Sequence, residues 1–252
     1  MVAAAGRNGA RSIVLGFAPA SLTGMKARAI LPDSPAPHSY DADCTRCARL
    51  AAFLGEVRAD NPAYFCRPVP PFGPPDASLV IVGLAPGMHG ANASGRPFTG
   101  DYAGIILYQT LYDYGFASRP VSSARDDGLE LIDCRITNAV KCLPPGNKPL
   151  PAEVRACNHF LAADLATVPR GGAILALGRI AHDAALLALS LKPSAFRFAH
   201  GAKHDLGEGK ALFDSYHCSR YNTNTGRLRP AMFRAVFDSI AAHLGRRVGR
   251  AT

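Results

Sequence analysis

Leu79-Val80-Ile81-Val82-Gly83-Leu84 runs directly into Ala85-Pro86-Gly87-Met88-His89-Gly90 and on to Gly95-Arg96-Pro97-Phe98-Thr99-Gly100-Asp101. The first six residues are a short, continuous apolar run, the pattern of a parallel strand buried on both faces. A long loop punctuated by Gly and Pro follows. A helix comes next, carrying Ile105, Ile106, Leu107, Leu111 and Tyr112 and ending near Gly115. A strand that feeds a loop and then a helix is the opening of a βαβ unit.

The pattern repeats outward from there. Residues 131–140 read as a second strand, 173–177 as a third and 212–217 as a fourth. Pro151-Ala152-Glu153 opens a helix bearing Val154, Leu161 and Leu165. Gly178 leads into another with Ala181, Ala185, Leu186 and Leu189. Pro230 suits the first position of a last helix, whose apolar face is Phe233, Val236, Phe237, Ile240 and Leu244. Near the start, Asp43 is placed to cap a helix over 44–58 with Leu50, Phe53, Leu54 and Val57 on one face. Strands alternating with helices predict an α/β fold: a three-layer α/β/α sandwich around a mostly parallel four-stranded sheet. Ligands of such sheets bind outside the carboxyl ends of the strands. Residues 1–40, rich in Ala, Gly, Pro and Ser, read as a flexible basic arm, and 41–252 as a single domain.

Composition narrows the class. The 252 residues include 28 Lys plus Arg against 19 Asp plus Glu, a net charge of +9. With 48% hydrophobic residues the chain has material for a full core, which excludes pervasive disorder, collagen and coiled coil. The positive excess favours a polyanionic partner. No run of about 18 apolar residues exists to span a membrane. The stretch Ser12 to Ala20 loosely imitates a signal peptide, but Gly16 and Pro19 interrupt it. Seven cysteines, an odd number, suit a reducing compartment better than a disulfide framework. A cytoplasmic, nucleoid-associated monomer is expected.

Four of those cysteines are spaced like ligands. Cys44 and Cys47 form a C-x2-C pair, and Cys142 and Cys157 flank the rigid loop Pro144-Pro145-Gly146-Asn147-Lys148-Pro149. Four thiolates suit either a structural zinc or an iron–sulfur cluster. The plainer reading is four unrelated core cysteines. Cys134, within a strand, reads as a core filler, and Cys66 and Cys218 have no assigned partner.

Polar residues recur where the strands end. The first loop lacks the Lys-Ser/Thr ending of a P-loop and the glycine spacing of a dinucleotide fingerprint, so no nucleotide cofactor is expected. Its glycines permit close backbone approach to a ligand. Asp101 either faces that ligand or simply caps the helix after it, and Phe98 could simply be core. Asn138 closes the second strand, and an Asn in an apolar strand is costly unless bonded. His217 opens a polar, basic segment, Ser219-Arg220-Tyr221-Asn222, followed by Arg227, that suits entry into a nucleic-acid groove or an ordinary solvated loop.

Taken in order, these segments resemble the uracil-DNA glycosylase superfamily, and most closely its family 5, the B type with an iron–sulfur cluster. The resemblance covers roughly residues 40–245. It rests on Cys44-x2-Cys47, Arg67-Pro68-Val69-Pro70, the Gly83–Asp101 loop, Asp126-Asp127-Gly128-Leu129, Asn138 to Cys142 with Pro144-Pro145, Cys157, and His217 to Leu228. Ala85, where some relatives carry a polar residue, is a mark of family 5. The basic stretch after the first helix is short here, Arg58 to Pro62, and Cys66 and Cys218 replace an expected Gly and Pro.

The resemblance implies a DNA repair glycosylase that flips out uracil, and other deaminated bases such as hypoxanthine, and hydrolyses the N-glycosidic bond to leave an abasic site. It implies a structural [4Fe–4S] cluster on Cys44, Cys47, Cys142 and Cys157, and Asp101, Asn138 and His217 as the active-site polar residues. Phe98, Ala85, Pro86, Gly87 and Asn138 would hold the base. His89, Gly90, Ser219, Arg220, Tyr221, Asn222 and Arg227 would grip the DNA. Competing readings are a non-catalytic or covalently trapping uracil-DNA-binding protein of the same fold, and a zinc-stabilised hydrolase of a small substrate. Covalent trapping goes with a basic insert ending in a nucleophilic His, and Ala91 to Phe98 contains none.

Overall fold

The computed structural model describes residues 39–246. All of these fall in one compact unit. The expected arm lies, through residue 38, outside the described residues.

Five strands form one sheet: β1 (Leu79–Gly83), β2 (Cys134–Asn138), β3 (Ala173–Leu177), β4 (Lys203–Gly207) and β5 (Lys210–Ser215). Their spatial order is β2-β1-β3-β5-β4. The pairs β1–β2, β1–β3 and β3–β5 are parallel, and β4 runs antiparallel to β5. The sheet therefore has one strand more than the sequence predicts. β4 escapes notice because it is an edge strand whose residues alternate between exposed and half-buried, so no apolar run marks it. Glu208 and Gly209, with φ of 53° and 72°, form the tight hairpin turn that returns the chain to β5.

The helices are α1 (Ala48–Asp60), α2 (Ala91–Ser94), α3 (Tyr102–Asp113), α4 (Pro151–Ala166), α5 (Arg179–Ala188), α6 (Arg220–Asn224) and α7 (Pro230–His243). On one sheet face, Leu107 and Leu111 of α3 and Phe233, Phe237 and Ile240 of α7 cover Leu79, Ile81, Ile136 and Phe213. On the other, Leu161 and Leu165 of α4 and Ala181, Ala185 and Leu186 of α5 cover Val80, Val82, Ile174 and Leu212. Alternate side chains of β1 thus serve opposite layers, which is why the whole run is apolar. Burying each large aliphatic side chain stabilises the fold by roughly 1.5–3 kcal/mol. A third cluster packs Leu50, Leu54 and Val57 of α1 against Val140, Leu143 and Phe160.

Three boundaries differ from expectation. α1 begins at Ala48, with Cys47 rather than Asp43 at its N-cap. The Asp43 N–H is instead bonded to Asp41 Oδ1, 3.0 Å away, in a turn that keeps residues 44–47 out of the helix. β2 is shorter than 131–140, because Asp133 adopts a φ of 53° and Leu131 bridges to Ala117 instead. β5 stops at Ser215, which leaves His217 in the connection that follows.

The connections leave β1 and β3 in opposite directions, toward β2 and β5 respectively. Neighbouring strands whose crossovers diverge leave a crevice at their carboxyl ends.

Candidate active site

A cleft of about 600 Å³ opens at that crevice. The loop after β1 supplies Ala85, Gly87, Phe98 and Asp101, the end of β2 supplies Asn138, and the chain after β5 supplies His217. Residues far apart in sequence therefore face one space because β2, β1 and β5, with β3 between the last two, run parallel and end on the same edge of the sheet.

Asp101 occupies the N-cap position of α3, yet its side chain makes no capping bond. It turns back toward the β1 loop, where Oδ2 accepts the Ala91 N–H at 3.3 Å. The slot for this carboxylate is made of glycine. A β-carbon on Gly90 would stand 2.0 Å from the Asp101 carboxyl carbon, and one on Gly87 would stand 2.4 Å from Oδ1. Burial raises the carboxyl above its ordinary value of 3.8, and the Ala91 bond only partly offsets this.

Asn138 is almost wholly buried. Its Oδ1 has no hydrogen-bond partner among the described residues. An unsatisfied buried acceptor costs about 1–3 kcal/mol, so it marks a place where a ligand donor fits. The Phe98 ring lies beside it, stacked on His217 with ring centroids 6.0 Å apart and planes inclined by 27°. Phe98 itself takes a left-handed φ of 57°. A bulky residue in that region is strained and needs firm surroundings. Burial lowers His217 from 6.5 to about 4, so its imidazole is neutral at pH 7 and offers one N–H donor.

The segment after His217 is not a free loop. Residues 220–224 form α6, capped by Ser219, whose Oγ accepts the Asn222 N–H. Asn222 Nδ2 donates to the His217 carbonyl at 2.8 Å, tying the helix to the imidazole's own backbone. Arg220 lies 5.0 Å above the Tyr102 ring and Arg227 lies 4.6 Å above Tyr216. Tyr221, 71% exposed, projects at the mouth of the cleft.

Not every expected residue reaches the cleft wall. Pro86 is buried beneath the loop. Gly90 backs Asp101 instead of facing the opening. His89 sits aside, 2.9 Å from the Tyr64 hydroxyl. Sequence reading also missed wall residues, among them Tyr102, Ala103 and Asn147. Adjacency to Asp101 is a usable signal for Tyr102; nothing local marks Asn147.

A second site lies beneath α1. Cys44, Cys47, Cys142 and Cys157 line one small space with Leu50, Pro68 and Phe160. All four are free thiols. The Lys141 N–H points at Cys157 Sγ, 3.4 Å away. Burial, reinforced by the neighbouring sulfurs, pushes Cys142 up to about 12 and raises Cys47, where Glu153 also contributes. Burial raises Cys157 too, against the Lys141 contact. A cation or cluster is what would let such crowded thiols ionise, so the donor set fits one. Among the described residues, the set of three metal-type ligands with donor atoms within 4.8 Å of one another is His182, His204 and Asp214, not three of these cysteines.

Fold and cleft define a class: a doubly wound α/β protein with a carboxylate, an amide and an imidazole converging at the switch point of its sheet, beside a short helix that bears Arg220. The chain belongs to the uracil DNA glycosylase superfamily, whose family model matches residues 70–241. It is 46% identical over 198 residues to the Type-5 uracil-DNA glycosylase of Thermus thermophilus, covering 77% of this chain and 90% of that one. To the Type-5 uracil-DNA glycosylase of Pyrobaculum aerophilum it is 40% identical over 207 residues, covering 81% and 90%. To that of Mycobacterium tuberculosis it is 43% identical over 203 residues, covering 77% and 75%.

Proposed function

We propose that this chain is a DNA glycosylase that flips uracil out of DNA and hydrolyses its N-glycosidic bond, leaving an abasic site. The observation that carries the reading is the buried Asn138 Oδ1, without a partner among the described residues, in the wall of a cleft that Asp101 and His217 also line. Uracil presents an N–H flanked by two carbonyls, which is the edge a side-chain amide reads. Phe98 offers the ring on which the flipped base stacks.

The reaction breaks the C1′–N1 bond. Its electron pair stays on the base, whose oxygen becomes anionic, while C1′ becomes cation-like. Water then bonds to C1′ and gives up a proton. Asp101 is placed to orient that water and take the proton. The neutral His217 donates a hydrogen bond to the anionic base, an oxyanion-type contribution of about 3 kcal/mol. Arg220, Tyr221 and Asn222 on α6 fill the gap left by the base, offsetting an unstacking cost of a few kcal/mol. Backbone of the Gly87–Gly90 turn, Ser219 and the basic side chain of Arg227 meet the phosphates, and the net charge of +9 supports association with DNA in the nucleoid.

Cys44, Cys47, Cys142 and Cys157 would hold a [4Fe–4S] cluster, which when bound supplies a cross-link between the start of α1 and the Pro144–Pro149 loop. Sulfurs more widely spaced than the about 3.8 Å edge of a single tetrahedral zinc site support a cluster over one ion. Nothing in base hydrolysis needs electron transfer, so the role is structural. The cleft is roomier than a pyrimidine requires, which supports a base range extending to deaminated purines such as hypoxanthine.

The test is a panel of duplexes, each with one lesion, incubated with purified protein and scored for abasic sites. Excision of uracil is the expected result. Tight binding without abasic sites would replace the enzyme with a binding protein.

A further inference from the structure

Arg96 and Asp127 belong to motifs for which the cleft has no use, since neither lines it. Arg96 is nonetheless buried and Asp127 half-buried, with side chains 4% and 11% exposed, and their charged groups lie 2.7 Å apart. A buried ion pair is costly to desolvate and is weak evidence for stability alone. Its geometry here serves the active-site loop. The Arg96 guanidinium donates from Nε to Thr99 Oγ1 at 2.9 Å, and from Nη2 to both Ser122 Oγ at 2.6 Å and Asp127 Oδ2 at 2.7 Å. Ser122 Oγ is itself 2.6 Å from Thr99 Oγ1. Burial by itself would raise the Asp127 carboxyl, but Arg96 and the N–H groups of Leu129, Ser123 and Ala124 outweigh it and hold the group well below the ordinary range.

Arg96 and Thr99 bracket Phe98, the residue in left-handed backbone, and Gly100 (φ 76°) leads straight to Asp101. From the far side, Tyr108 donates to the Pro97 carbonyl at 2.7 Å. Gly100 takes its positive φ freely, but a phenylalanine in left-handed backbone does not hold that conformation unaided. A five-donor fork anchored on a fixed carboxylate supplies the constraint.

We propose that Asp127 is a positioning residue for excision: through Arg96 it fixes the Phe98–Asp101 segment, so that the carboxylate meets the water in line with the glycosidic bond. This rests on the assignment of Asp101 to the hydrolytic step. Small displacements of a reacting group cost up to about 100-fold in rate.

The experiment is a double-mutant cycle on single-turnover excision of uracil from a duplex, with dissociation constants measured alongside. Asp127→Asn is expected to slow excision about 10- to 100-fold while leaving the affinity for uracil-containing duplex within about 3-fold. In an Asp101→Asn background the same change should cost less than about 2-fold, because a misplaced group that no longer acts loses nothing more. Ser122→Ala, which removes one bridge without touching the ion pair, should show a smaller effect that vanishes in the same background and serves if Asp127→Asn does not fold. A penalty undiminished by Asp101→Asn, or no penalty at all, overturns the positioning role. An Asp101→Asn variant of unchanged rate overturns the Asp101 assignment instead.

Discussion

Gly83 and Asn138 pair across β1 and β2, and the Asn138 side-chain oxygen lies 2.3 Å from where a β-carbon on Gly83 would stand. The same β-carbon would come 2.9 Å from the Phe98 ring. One missing methyl thus makes room for both the amide and the stacking ring. Gly83→Ala should lower single-turnover uracil excision about 10- to 100-fold, the cost of displacing a hydrogen bond worth 1–3 kcal/mol. Affinity for undamaged duplex should hold, since no phosphate contact changes. Equal loss of both in a filter-binding assay would point instead to a general distortion of the sheet edge.

Excision should fall on the acid side of neutrality. Burial raises Asp101 above 3.8, and a carboxylate that takes a proton from water must first be ionised. His217, lowered to about 4 by burial, is neutral near pH 7 and adds no limb there. The rate at saturating enzyme should therefore rise with pH through a midpoint above 3.8 and then level off. Asp101→Asn should lower the plateau by at least about 100-fold and abolish that limb. A limb that survives Asp101→Asn would belong to another group.

Stability should carry a histidine signature at higher pH. His182 and Asp214 are fully buried, and His182 Nδ1 lies 2.7 Å from the Asp214 carboxylate. Its Nε2 lies 3.0 Å from the Phe196 carbonyl. Both partners accept only, so the ring donates twice, which is the imidazolium form. Burial opposes that charge, but the bond to Asp214 and its charge prevail and raise His182 above 6.5. Such a raised group contributes stability that is complete below the unfolded value of 6.5 and is lost as pH rises through the folded value. Urea midpoints should decline over that window, and His182→Gln should flatten the slope. An unchanged slope would place the ion pair elsewhere.

Loss of whatever the four cysteines bind should loosen α1 before it affects chemistry. Chelation or Cys142→Ser should lower the thermal midpoint, with protease cleavage appearing first near residues 41–60 and 144–149. The single-turnover rate of protein still folded should change little. A parallel collapse of rate and midpoint would show that the cysteine site and the cleft are one cooperative unit. Visible absorbance of the purified protein separates iron–sulfur from a colourless zinc site.

Much of this molecule is legible in its residues. The apolar runs at 79–84 and 173–177 have no use except as strands covered on both faces, so the parallel core and its carboxyl-end cleft follow from hydrophobic periodicity. Asn138 stands out because a polar residue at the end of an apolar strand demands a reason, and Asp101 and His217 because they stand in the connections that follow apolar strands. The strand β4 was not legible, since an edge strand that buries little leaves no apolar trace. Nor was the space that Gly90 leaves for the Asp101 carboxylate, since nothing local to a glycine says which side chain will fill the volume of its missing β-carbon. Sequence order fixes which side chains exist and which local turns they favour. Only the packed sheet decides which of them share a cavity, because register and strand order bring positions more than a hundred residues apart into contact and set the burial that shifts their protonation.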